Sequence, residues 1–287
     1  MTATQDASAH PPFRGGALVT GAGRGLGLEI ARRLVARGHL VHVTDVDGDL
    51  AARVAAQLGP RAFGSALDVR SFPACRAAAS RTQRRAGSLE VWVNNAGVLF
   101  TGPAWEQAQR ARELMLEVNA TGTINGTLAA LEPMRAAGRG HIVNVVSLAG
   151  LVPAPGEAVY AASKHAAIGF SLATLADLRL AGIKGVDISC VCPDGMWTPM
   201  LYDKLEDPGA AASFSGSLLH PEQVAEEVAA LLDHPQPVLA IPRWRGVVVR
   251  LLDLAPGLSL RYAHRILAHG RRKQRRLLRR AKTGKLP

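Results

Sequence analysis

Tyr160 and Lys164 stand four residues apart in Tyr160-Ala161-Ala162-Ser163-Lys164, thirteen residues after Ser147. If the segment from about Glu157 to Ala181 is a helix, that interval puts the phenol and the ammonium on one face, one turn apart. A lysine so placed favours phenolate over phenol and draws a tyrosine pKa toward the working pH. Such a tyrosine can pass a proton to or from an alcohol oxygen.

A proton donor of this kind needs a partner for the rest of the reaction, and the start of the chain offers one. Thr20-Gly21-Ala22-Gly23-Arg24-Gly25-Leu26-Gly27 lies between a short apolar run, Ala17 to Thr20, and a helical pattern carried by Leu26, Ile30 and Leu34, with Gly38 as a stop. Glycines there permit a tight turn and close backbone approach, and the helix N-terminus presents free N–H groups to a pyrophosphate. The second strand, Leu40 to Asp45, ends in a carboxylate eighteen residues beyond Gly27. Asp45 can accept hydrogen bonds from an adenosine ribose and repel a 2′-phosphate, which favours NAD, whereas Arg24 could pair with that phosphate and pulls toward NADP. NAD is the expectation, because the acid is the closer group in the usual geometry.

Further strands are expected at Ala62 to Val69, Leu89 to Asn94, His141 to Ser147, Val186 to Val191 and Val238 to Ile241, separated by helical stretches rich in alanine and leucine. The alternation predicts an α/β fold, a doubly wound parallel sheet of about seven strands with helices on both faces. Ligands of such sheets bind beyond the carboxyl ends of the strands, and each motif above follows a strand.

The 287 residues, 48% of them hydrophobic, suffice for one large domain. Residues 1–15 contain Asp6, His10, Pro11 and Pro12 and read as a disordered lead-in rather than a secretory signal. Residues 16–242 read as a single dinucleotide-binding domain and 243–287 as a basic extension. Cys75, Cys190 and Cys192 form neither a disulfide framework nor a zinc pattern, so a reducing, cytoplasmic setting and no metal are expected. The net charge is +11, but residues 243–287 hold 14 Lys or Arg against the lone acid Asp253, while the remainder has 20 against 22 acids. All the excess positive charge therefore belongs to the extension.

Together these residues resemble the short-chain dehydrogenase/reductase family in its single-domain form, over roughly Gly16 to Pro242. The glycine turn matches the family's T-G-x-x-x-G-x-G pattern, and Asn94-Asn95-Ala96-Gly97 matches the N-N-A-G signature that borders the cofactor and stabilises the central strand. Asn119, Ser147, Tyr160 and Lys164 match the catalytic tetrad in order and spacing. The resemblance implies a hydride exchange between nicotinamide and a secondary alcohol or ketone. Tyr160 would carry the proton, Ser147 would polarise the oxygen, Lys164 would hold the ribose and tune the phenol, and Asn119 would fix a water in a proton relay. It further implies that Asp68 and Val69 meet the adenine, that Asn95, Ala96 and Gly97 flank the cofactor, and that Pro193, Gly195, Met196 and Thr198 reach the nicotinamide. Homodimers or homotetramers through the Asn119 and Tyr160 helices are implied as well. One departure stands out: where the family has P-G, this chain reads Pro193-Asp194-Gly195, so either the glycine has moved or Asp194 takes up left-handed geometry.

Residues 196–219 read as a lid that brings Met196, Trp197, Met200 and Leu201 to the substrate, with Leu99 and Leu148 beside the site. Their apolar character points to a lipophilic alcohol or ketone such as a steroid, retinoid or long-chain carbonyl. A dinucleotide-binding regulator without turnover is the alternative, and the intact tetrad argues against it. In the extension, Leu260, Ala263 and Leu267 permit a short amphipathic stretch that Gly270 is expected to interrupt. A solvated or packed tail, peripheral contact with a membrane surface, and nucleic-acid binding compete there, the last ranked lowest for want of interleaved aromatics.

Overall fold

The computed structural model describes residues 14–283, so most of the lead-in expected over residues 1–15 lies outside the described residues. In chain order the first half comprises β1 (Gly16–Thr20), α1 (Gly25–Ala36), β2 (Leu40–Asp45), α2 (Gly48–Leu58), β3 (Ala62–Ala66), α3 (Phe72–Ala86), β4 (Leu89–Asn94), α4 (Gln109–Met115) and α5 (Gly122–Ala137). The second half comprises β5 (Gly140–Val145), α6 (Ala158–Leu180), β6 (Val186–Pro193), α7 (Pro199–Tyr202), α8 (Pro221–Leu231), β7 (Val238–Ile241), α9 (Arg243–Asp253) and α10 (Pro256–Ala281). A π-helical turn, Leu116–Thr121, joins α4 to α5.

The seven strands form one parallel sheet in the order β3-β2-β1-β4-β5-β6-β7. Successive strand residues point to opposite faces, and the sequence fills both with apolar side chains. Ala17 and Val19 join the core under α1, α2 and α8. Leu18 joins the other core, where it pairs in register with Trp92, which pairs with Ile142 and that with Ile188. Trp92 is fully buried, and its indole N–H donates to the Asn94 Oδ1 at 2.7 Å. Asn94 in turn donates to Asn144 Oδ1 at 2.8 Å, tying the ends of β4 and β5.

Several boundaries differ from expectation: β5 ends at Val145 rather than Ser147, which leaves Ser147 in the loop beyond it, and β6 runs on to Pro193 rather than Val191. β3 stops at Ala66 rather than Val69, because the chain turns away to Ser71, which caps α3 by accepting from the Ala74 N–H. α10 runs unbroken through Gly270, which was expected to end it. At that point the helix crosses the lid so closely that a Cβ on Gly270 would lie 1.9 Å from the Ala211 carbonyl oxygen. The glycine is a crossing point, not a stop.

Candidate active site

Strand order reverses between β1 and β4, the usual place for a ligand in an open parallel sheet. The loops leaving these strands touch there. Thr20 Oγ1 accepts the N–H groups of Asn95 and Ala96, each at 3.0 Å, and the Asn95 amide donates to the carbonyls of Thr20 and Gly21. Gly21, at φ +60°, is required: a Cβ would fall 2.8 Å from the Ala96 Cα. The N-terminus of α1 is thereby held open above the strand ends. Leu26 and Gly27 are buried beneath it, while Arg24 is exposed.

Asp45 reaches across from the end of β2. Its Oδ2 accepts the Gly23 N–H at 3.0 Å and its Oδ1 the Asp47 N–H at 3.2 Å, which fixes the carboxylate beside the glycine turn. Asp68 is engaged by Arg70, whose Nε and guanidinium bonds hold the Asp68 pKa below the usual carboxylate range. The sequence reading had not anticipated that partner.

The tetrad residues converge on the other side of the switch point. The π-helical turn carries Asn119, whose Oδ1 accepts the Val98 N–H at 2.9 Å. Its Nδ2 donates to the Val98 carbonyl at 2.9 Å and to Ser163 Oγ at 3.1 Å, so Asn119 braces the loop beyond β4 and Gly97 against α6. Lys164 is 4% exposed, donates to the Val145 carbonyl at 3.1 Å and lies 5.6 Å from the centroid of the Tyr160 ring. Ser147 follows β5, and its hydroxyl accepts the Ala149 N–H at 3.1 Å.

Burial dominates the electrostatics of this pair. It pulls the Lys164 ammonium down to about 8. It pushes the Tyr160 phenol well above its ordinary value, with Glu157 acting in the same direction and the hydrogen bond to Ser147 opposing. The expected lowering of the phenol by Lys164 is therefore outweighed here, since desolvation disfavours the charged form of both groups.

Ser147 and Tyr160 line a cavity of about 520 Å³. Leu99, Leu148, Met196, Met200 and Leu201 line it as expected, together with Pro193, Gly195 and Thr198. Trp197 is not among the lining residues; its ring packs 5.3 Å from Tyr202 in a lid cluster built around Leu201, Leu205, Phe214 and Leu277.

The sequence reading missed two parts of this cavity. Glu157, one helical turn before Tyr160, is 3% exposed and accepts Ser213 Oγ at 2.6 Å and the Ser213 N–H at 3.1 Å. Burial lifts its pKa to about 7 against these bonds. The second part is the roof: Leu260, Tyr262, Ala263, Ile266 and His269 of α10 close the cavity from above. Farther along α10, the Gln274 amide donates to the carbonyls of Lys204 and Asp207, Lys273 Nζ to that of Gly216, and Leu277 is buried in the lid cluster. The apolar recurrence in 260–267 was the available signal.

Asp194 resolves the departure at the end of β6. Among the described residues no non-glycine has positive φ, so Asp194 does not stand in for glycine by left-handed geometry. Its carboxylate instead accepts the N–H groups of Gly195 and Ser217 and pairs with Arg245 of α9.

Comparison with known proteins agrees in family and architecture. A family model described as short chain dehydrogenase matches residues 16–209. The cyclopentanol dehydrogenase of Comamonas sp. is 33% identical over 223 residues, covering 75% of this chain and 88% of that protein. A 3-alpha-(or 20-beta)-hydroxysteroid dehydrogenase of Mycobacterium tuberculosis is 35% identical over 184 residues, covering 64% and 70%. Among solved structures, a short chain dehydrogenase/reductase from Burkholderia phymatum in complex with NAD superposes with a TM-score of 0.77 at 27% identity, over 87% of this chain and 97% of that one.

Proposed function

The chain belongs to the short-chain dehydrogenase family, and from that premise we propose that it interconverts a lipophilic secondary alcohol and its ketone with NAD(H) as hydride carrier. The observation that carries this reading is the meeting of the Ser147 and Tyr160 hydroxyls in a largely apolar cavity beside the strand-order switch.

A bound nicotinamide would supply the hydride chemistry at the substrate carbon, and this chain's residues would supply position and proton transfer. The residues present suit such a group. The amides at the start of α1 would hold the pyrophosphate. Asp45, with its carboxylate fixed against Gly23, would take the adenosine ribose and exclude a 2′-phosphate. Asp68 and Val69 would frame the adenine, Lys164 the second ribose, and Gly195, Met196 and Thr198 the carboxamide side.

In the reaction itself Tyr160 moves the proton on the substrate oxygen, and Ser147 orients and polarises that oxygen. Lys164 stays close enough to stabilise phenolate as the proton leaves, and Asn119 holds α6 in register with the β4 loop. Leu99, Leu148, Met200 and Leu201 hold the apolar body of the substrate under α10. The hydroxysteroid dehydrogenase and cyclopentanol dehydrogenase likenesses support a cyclic, hydrophobic alcohol.

We place the enzyme in the cytoplasm as a homodimer or homotetramer through α5 and α6. Leu116 on the π-helical turn that leads into α5 and Leu128 on α5 itself, left 44% and 43% exposed, support that pairing. No helix among the described residues is long and apolar enough to cross a membrane. The test is a panel of ketones with NADH for wild type and Tyr160→Phe. Hydrophobic cyclic ketones should be reduced fastest, and the variant should bind NADH without turnover. Faster reduction of small polar ketones would overturn the lipophilic reading, and an active Tyr160→Phe would overturn the mechanism.

A further inference from the structure

The outer face of α9 is apolar. Trp244, Val247, Val248 and Leu251 recur at i, i+3, i+4 and i+7, which makes one stripe along the helix. That stripe faces solvent, with exposures of 59%, 60%, 38% and 60%, while Gly246 and Val249 face inward. A Cβ on Gly246 would lie 2.2 Å from the Ala240 Cβ, so the inner face is pressed onto β7 and the outward direction of the stripe is fixed. Leu254 follows it at 81% exposed, and on α10 Leu260, Tyr262 and Ile266 are also open to solvent at 64%, 42% and 39%. An exposed patch of this extent marks an interaction surface.

Charge identifies what covers it. The same two helices belong to the segment that carries 14 Lys or Arg against Asp253. Among the described residues, none of the arginines from Arg261 to Arg280 is within ion-pair distance of an acid. An apolar stripe on α9 together with unpaired cations along α10 suits an interface between headgroups and acyl chains. A second copy of the same face would oppose two strongly positive surfaces with one acid each to offset them. A nucleic acid would answer the charge but leave the stripe uncovered.

Leu260, Tyr262 and Ile266 are exposed on α10 and also form the roof of the cavity. We propose that α9 and α10 form a docking surface for an anionic lipid bilayer, with the α9 stripe seated in the headgroup–acyl boundary, and that the cavity receives its substrate from that side. The second clause rests on the lipophilic reading of the site; the first does not.

Flotation of the full chain with vesicles of phosphatidylcholine, alone or mixed with phosphatidylglycerol, tests the proposal. Wild type should float with the mixed vesicles. Val247→Asp/Leu251→Asp should lower the partition constant at least roughly tenfold. Arg275→Gln/Arg276→Gln should lower it roughly fivefold per charge, with the difference shrinking at high salt. Both double variants should reduce a water-soluble cyclic ketone with NADH at the wild-type rate in vesicle-free buffer, which shows that they fold. Loss of that turnover in wild type would count against the proposed reaction and leave the docking result standing. Absence of flotation, unchanged flotation of the stripe variant, or a stripe variant that sediments as a smaller oligomer would each overturn the docking surface. Retention on duplex DNA in place of vesicles would overturn it in favour of nucleic acid.

Discussion

The Asp194 carboxylate lies 3.1 Å from Nε of Arg245, a contact that joins the start of the lid to the first turn of α9. Asp194 Oδ2 also accepts the Ser217 N–H at 2.8 Å, and a Cβ on Gly216 would fall 2.1 Å from the same oxygen. One carboxylate therefore gathers both ends of the lid and the extension. Asp194→Gly, which restores the pattern usual in the family, should cost about 1.5–3 kcal/mol of stability, the range for hydrogen bonds to a charged group. It should also raise KM for a hydrophobic ketone while NADH affinity holds. Thermal unfolding and steady-state kinetics read the two effects.

Gly270→Ala separates a docked α10 from a free helix by the sign of its effect. In a solvated helix the change would stabilise by up to about 1 kcal/mol. Against the Ala211 carbonyl at 1.9 Å the new methyl has no room, and either α10 or the lid must shift, at roughly 1–3 kcal/mol. The expected result is a lower Tm and a weaker hold on bulky substrates.

Glu157 makes the fold sensitive to pH. Its carboxyl keeps a proton to about 7 in the folded protein, against an ordinary value of 4.5. The contribution is complete below about 4.5 and is lost as pH rises through about 7, because ionisation leaves a charge in a site that desolvates it. Glu157→Gln keeps the acceptor for Ser213 and removes the titration. The variant should lack the fall in Tm between about pH 5 and 8 that wild type shows. A parallel decline in both proteins would mean that another group titrates.

Coenzyme choice should follow Asp45. Removing the carboxylate in Asp45→Ser abolishes the repulsion of a 2′-phosphate and leaves the exposed Arg24 to attract it. The ratio of kcat/KM for NADPH over NADH should rise at least about tenfold, equivalent to about 1.4 kcal/mol. An unchanged ratio would move the determinant away from the end of β2.

The strand ends were legible in the sequence because buried parallel strands read as apolar runs and because glycine turns sit at fixed places after them. Val238 to Ile241 and Leu89 to Asn94 fall on the residues expected. Of the tetrad positions Ser147 follows β5, whereas Asn119 lies on the π-helical turn and Tyr160 and Lys164 on α6, where the four-residue spacing alone placed the last two one turn apart. The roof was not legible. Its contacts join residues 207 and 274, 216 and 273, or 211 and 270, and nothing in local periodicity reports a crossing between distant segments. Gly270 misled because a glycine that ends a helix and one that lets a helix touch a backbone look alike in one dimension. Asp194 misled in the same way, since its work is done by a side chain reaching α9 rather than by its own φ.

Because β7 ends at Ile241, the seven-stranded sheet is complete in the chain before any residue of α9 or α10 has been made. Synthesis from the N-terminus therefore delivers every strand of the sheet before the helix that roofs the cavity, so the framework that positions the site precedes its cover.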